Sequence, residues 1–133
     1  MTDIQKYLNS YGKLCDEAES ITEQLTMLKS TAEYRSPSAE AGGRSGSFYD
    51  RVGINAAKIS DLEAKLQSRK IRLRSLRKDI IGKVSRLQNP RQRRIITDRY
   101  IKRKDWNEIA SENSICERWM FRLHKQGLEE MTK

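Results

Sequence analysis

The chain has 133 residues, a net charge of +9, 34% charged residues and only 36% hydrophobic ones. That balance is thin for a large globular core and suits long helices that each bury one stripe. It holds no apolar run of ~18 residues, which excludes a membrane-spanning helix, and its first residues, MTDIQKYLNS, lack a signal-peptide pattern. A cytoplasmic protein is therefore expected.

In chain order, the first element is a heptad. Ile4, Tyr7, Tyr11, Leu14, Ala18, Ile21, Leu25, Leu28 and Ala32 alternate spacings of three and four, the seam of a coiled-coil helix. Asp16, Glu17, Glu19 and Glu23 lie on or beside its solvent face, and Cys15 flanks the seam as a small packing residue. The pattern stops at Tyr34. RSPSAEAGGRSGS, residues 35–47, is small, polar and glycine-rich and reads as a loop, with a flexible connection expected over about 35–50. GGRSGS lacks the Lys-Ser/Thr ending of a phosphate-binding loop and follows a helix, so it is not one.

A second long helix is expected from about Asp50 to Leu87, with Val52, Ala56, Ile59, Leu62, Leu66, Leu73, Leu76, Ile80, Val84 and Leu87 as its stripe and Arg69 and Lys70 interrupting it. Two long helices joined by a loop predict an antiparallel hairpin or coiled coil over 1–80, suited to self-association as a homo-oligomer. The segment RKIRLRSLRKD, 69–79, fits contact with a DNA backbone and a solvated helix surface equally well.

Asn89-Pro90 predicts a helix start, with Asn capping free amides and Pro in the first turn. Ile95, Ile96, Tyr100 and Ile101 supply its apolar positions. Asp105 with Glu108 matches a capping box that opens a short helix, with Trp106, Ile109 and Ala110 facing inward. A turn near Asn113-Ser114-Ile115 leads to a last helix from about Cys116, with Met120, Leu123, Leu128 and Met131 as its buried face. Gly127 permits a close crossing, and His124 reads as a surface or capping residue.

Charge separates the two halves. Residues 67–133 hold nineteen Lys/Arg against eight Asp/Glu, while residues 1–66 hold eight against ten. An excess of one sign in one half points to a polyanion, nucleic acid ahead of a membrane surface. Helix, short turn, helix with a polar and basic free face is how a recognition helix enters the major groove of double-stranded DNA. Glu117, Arg118, Trp119, Arg122 and Lys125 are the candidate base-reading residues: Arg donates twice to guanine and Glu accepts from cytosine. Trp119 or Phe121 suits a thymine methyl or a packing partner. Arg91, Arg93, Arg94, Arg103 and Lys104 are placed to hold phosphates, which give affinity and register rather than sequence choice. With two separated cysteines and one histidine, no metal site and no cofactor are expected. No carboxylate pair or Cys/His dyad suggests an enzyme.

The stretch RYIKRKDWNEIASENSICERWMFRLHKQGLEE resembles the C-terminal half of the ArpU/RinA-like late transcription regulators of phages that infect Gram-positive bacteria. The resemblance is carried by Arg99-Tyr100-Ile101, Trp106, Ile109-Ala110, and His124 with Leu128, and the same stretch is similar to region 4 of bacterial sigma factors. The heptads, the polar loop with Ser45-Gly46-Ser47 and the second helix look like the same family. Cys116 departs from its pattern, standing where Ser or Thr often caps the last helix. The resemblance implies an all-α chain with a helix-turn-helix domain over 81–133. It also implies a DNA-binding activator of phage late genes, with host RNA polymerase as a further partner. A small-terminase-like packaging protein and a coiled-coil adaptor that reads no DNA are the alternatives.

Overall fold

The computed structural model describes the backbone of residues 1–34 and 45–133, and the side chains outside 31–52. The described residues are helical, with no strand among them. Helix α1 spans Asp3–Tyr34, α2 Ser45–Ser85, α3 Pro90–Ile96, α4 Trp106–Glu112 and α5 Glu117–Thr132; a π-helical turn, Thr97–Ile101, continues α3. The loop expected over 35–50 does not reach its expected C-terminal end. Ser45–Asp50, including the Ser45-Gly46-Ser47 stretch, is already helical, while 35–44 lie outside the described residues.

The chain forms two compact units, one of Met1–Cys15 with Arg72–Lys133 and one of Asp16–Ile71. This division differs from the boundary at 80/81 read from the sequence. The reason lies in the first core cluster. Leu8 and Tyr11 from α1 and Ile80, Val84 and Leu87 from α2 are buried together with Ile96, Tyr100 and Leu128. The ends of the long helices therefore complete the core of the C-terminal segment. Leu8, fully buried, is the centre of the α1 contribution although it lies off the heptad seam. A helix that meets several elements buries a wider arc than a two-helix seam, which brings in position 8 beside 4, 7 and 11.

Within residues 16–71 packing is lighter. Leu25 is buried, while Ile21, Leu28, Ile59, Leu62 and Leu66 are half-buried and Ala56 is exposed. Glu17 accepts from Arg69 Nε at 2.8 Å and Lys29 pairs with Glu63 at 3.2 Å. Arg69 thus does not simply interrupt the α2 stripe. It occupies the stripe position between Leu66 and Leu73, its stem half-covered and its head group on Glu17.

Candidate nucleic-acid interface

The segment after α2 is built from a few local devices. Asn89 Oδ1 accepts the backbone N–H of Arg91 at 2.9 Å and of Gln92 at 3.4 Å, and Pro90 takes the first helical position, so the sequence-read cap holds. α3 packs along α5. A β-carbon on Gly127 would lie 2.6 Å from Ile96 Cδ1, so the missing side chain is what allows this approach. In the π turn the N–H of Lys102 bonds to the carbonyl of Thr97, at 3.0 Å. This one-residue expansion was not read from the sequence. It accompanies a buried Asp98, whose Oδ1 lies 3.6 Å from Lys102 Nζ and whose Oδ2 has no hydrogen-bond partner.

The second core cluster, Ile95, Ile109, Ala110, Met120 and Leu123, fixes α4 and α5 on α3, with Trp106 and Ile115 packed against it. The connection between α4 and α5 is a Schellman turn. Ile115 N–H reaches Ala110 O at 3.1 Å and Ser114 N–H reaches Ser111 O at 3.2 Å, with Ser114 in the left-handed region at φ 54°. Ile115 then folds back on the cluster, as this motif requires. Neither following helix has a side-chain cap: Asp105 and Cys116 occupy the cap positions without a side-chain hydrogen bond. The capping box read from Asp105 and Glu108 is therefore not formed.

α5 has two distinct faces. Met120, Leu123, His124, Gly127 and Leu128 are buried. Glu117, Arg118, Trp119, Phe121, Arg122 and Lys125 are all exposed. Arg118, Arg122 and Lys125 recur at i, i+4 and i+7 and so share one face; farther along it stands Glu129 in place of a cation. Trp119 and Phe121 flank that face at 40% and 43% exposure. They are not equivalent. Phe121 rests against Trp106 with ring centroids 5.0 Å apart, whereas the Trp119 ring has the Arg122 guanidinium 5.7 Å from its centroid.

The five expected phosphate-holding residues separate into groups. Arg91 and Arg94 are exposed on α3. Arg93 instead donates to the carbonyls of Leu87 and Gln88, the latter at 3.2 Å, and so fastens the connection between α2 and α3. Lys104 is held by Glu112 at 2.7 Å, a bond that raises the lysine pKa and lowers the carboxylate's. Arg103, at φ 57°, passes beside α1, its Nε 3.9 Å from where a Gly12 β-carbon would stand. All three are engaged within the fold; the carbonyls that hold Arg93 and the carboxylate that holds Lys104 come from other segments, which spacing along one helix does not reveal.

His124 is the residue whose placement differs most from the sequence reading. It is buried, its Nε2 is 2.7 Å from the Tyr100 hydroxyl, and its ring meets Trp106 edge-on at 4.8 Å. Arg99 covers the other part of Trp106 at 4.4 Å and donates to Lys104 O at 3.0 Å. Burial first, and Arg99 second, push the His124 pKa down to about 4; burial likewise raises that of Tyr100. The signal was present, since position 124 lies four residues after Met120 and four before Leu128, on the buried face.

Among the described residues no group of His, Cys, Asp and Glu is arranged to hold a metal ion, and no helix is long and apolar enough to cross a membrane. Compared with family models, curated proteins and solved structures, the chain matches none.

Proposed function

We propose that the protein is a sequence-specific, DNA-binding transcriptional regulator without catalytic activity, in which α4, the Schellman turn and α5 act as a helix-turn-helix. The observation that carries this reading is the exposed face of α5. Arg118, Arg122 and Lys125 project together from its first turns, while the opposite face is locked into the core by Met120, Leu123 and Gly127. A recognition helix contacts base edges with its N-terminal residues, and here the cations lie at that end. Arg118 and Arg122 suit guanine edges, Glu117 suits cytosine, and Trp119 offers an apolar ring for a thymine methyl. Phe121 contributes by bracing α5 on Trp106 rather than by reading bases. Arg91 and Arg94, exposed on α3, are its phosphate-holding candidates.

In this reading α1 and α2 form an antiparallel hairpin, and its half-buried stripe over 16–71 supports self-association. The Leu8 and Tyr11 end of α1 takes no part in that association, because it lies in the core of the DNA-binding unit. The resemblance to ArpU/RinA-like regulators adds phage late genes as the target and host polymerase as a partner.

Selection from a random duplex pool at 50 and 200 mM salt tests the reading. An enriched motif is expected to survive the higher salt. Arg118→Ala and Arg122→Ala each cost about 1–3 kcal/mol on that motif and relax one base position. A pool with no enriched sequence, or variants that bind the motif as the parent does, removes α5 as a reading helix.

A further inference from the structure

Along the last turns of α2, beside Tyr7 of α1, lies a feature that the α5 reading does not use. A hollow of about 380 Å³ is lined by Ser75, Lys78, Asp79, Gly82, Lys83 and Arg86. Gly82 is one of its lining residues, and an added β-carbon there would meet nothing within 4 Å. Lys83 and Arg86 also border a second hollow of about 630 Å³ that runs on to Gln88, Asn89 and Lys133. The two form one groove along the end of α2, all within the unit that carries α5.

The charges of this groove do not cancel. Asp79 is occupied by the Tyr7 hydroxyl and lies 3.8 Å from Lys83, which sits over the Tyr7 ring. Glu130 is held by Lys133 at 2.9 Å. Lys78 and Arg86 are exposed and have no carboxylate partner among the described residues. Arg74, one turn before Lys78 on the same ridge, is exposed as well. What remains is uncompensated positive charge above a hollow, with hydroxyl and amide groups at Ser75, Gln88 and Asn89. Leu87 and Met131 are the apolar lining residues. A protein partner's site has an apolar, desolvated centre. Cations with hydroxyl and amide donors around a hollow match phosphate oxygens instead.

We infer that Lys78 and Arg86, over the hollow at Gly82, form a second nucleic-acid surface that grips duplex phosphate backbone without reading sequence. The inference shares with the proposed function only the claim that the ligand is DNA, and α5 is not part of it.

The test is fluorescence anisotropy of the full chain on a selected duplex and on a scrambled duplex of equal length, across 50–200 mM salt. The double variant K78A/R86A is expected to weaken both duplexes alike. Losing two phosphate contacts reduces the salt slope by about 2, so the affinity change across this range shrinks about tenfold. Gly82→Leu, which fills the hollow from an open helix position, is expected to weaken both duplexes with the melting temperature unchanged or raised. If neither variant alters the salt slope while R118A/R122A abolishes preference, the second surface is overturned and the α5 reading stands. If the slope falls but the parent shows no preference between duplexes, the α5 reading fails and the second surface stands. A normal slope on DNA with lost binding to polyglutamate overturns the inference in favour of an acidic protein partner.

Discussion

Residues 16–71 and the unit made of residues 1–15 and 72–133 are both rich in long amphipathic helix, yet they bury their stripes to different depths. In the first, Leu25 alone is buried among the residues whose side chains are described, Ala56 is exposed, and Ile21, Leu28, Ile59, Leu62 and Leu66 are half-covered. In the second, Ile80, Ile95, Ile96, Ile109 and Met120 are fully enclosed. The difference follows from the number of faces each helix meets. Two paired helices shield one side of each stripe. Adding α3 and α5 across α1 and α2 closes the remaining sides, so the same kind of sequence pattern supports a much denser core.

The largest expected effect separates the two regions directly. Ile80→Ala removes a fully buried side chain from the cluster joining Leu8, Ile96 and Tyr100 and should cost about 3 kcal/mol; Leu62→Ala, half-buried, should cost about 1. Urea unfolding of the two variants measures this. Equal costs would mean that residues 16–71 are covered as fully as the core, as a tight oligomer interface would cover them. For the same reason a fragment of residues 81–133 should melt without a sharp transition, because Leu8, Tyr11 and Ile80 are missing from above Ile96.

How much of this was readable depends on whether a residue's role is set along its own helix. Asn89-Pro90, the inward positions of α4, Gly127 and the buried stripe of α5 all follow from local periodicity or capping chemistry, and the helical class with them. The burial of Leu8, the use of Arg93 to hold the carbonyls of the α2–α3 connection and the pairing of Lys104 with Glu112 depend on segments brought together by folding. The exposed base-reading candidates were legible because a helix with one apolar face leaves the other to solvent. Which cations remain available was not, because each competes for carbonyls and carboxylates that periodicity does not locate. The π turn left no mark that composition or spacing could reveal.

A second way to sharpen the comparison uses pH, because the denser unit alone encloses a histidine. The folded state holds His124 neutral, with a pKa of about 4, whereas the unfolded chain titrates near 6.5. Between those values the unfolded state binds the additional proton, so stability rises with pH through this window and is lost as pH falls from about 6.5 toward 4. The full difference is on the order of 3 kcal/mol. Thermal melts of the parent at pH 7 and pH 5 should show the decline, and His124→Gln should flatten it while lowering stability at pH 7. An unchanged pH profile in that variant would assign the acid sensitivity to carboxylates instead.

The smallest expected effect concerns the turn that sets α5 against α4. Ser114 occupies the left-handed C′ position of the Schellman turn at φ 54°, where a β-carbon costs about 1 kcal/mol and glycine costs nothing sterically. The hydrogen bonds from Ser114 and Ile115 to Ser111 and Ala110 use backbone atoms only, so a glycine preserves them. The unfolded chain gains freedom at that residue, which offsets part of the benefit. Ser114→Gly should therefore stabilise by about 0.5 kcal/mol, and Ser114→Val, β-branched at positive φ, should destabilise by more than that. If differential scanning calorimetry ranks serine above glycine, the residue is not held in the left-handed region in solution. The angle between α4 and α5 would then be set by Ile109, Met120 and Leu123 packing alone.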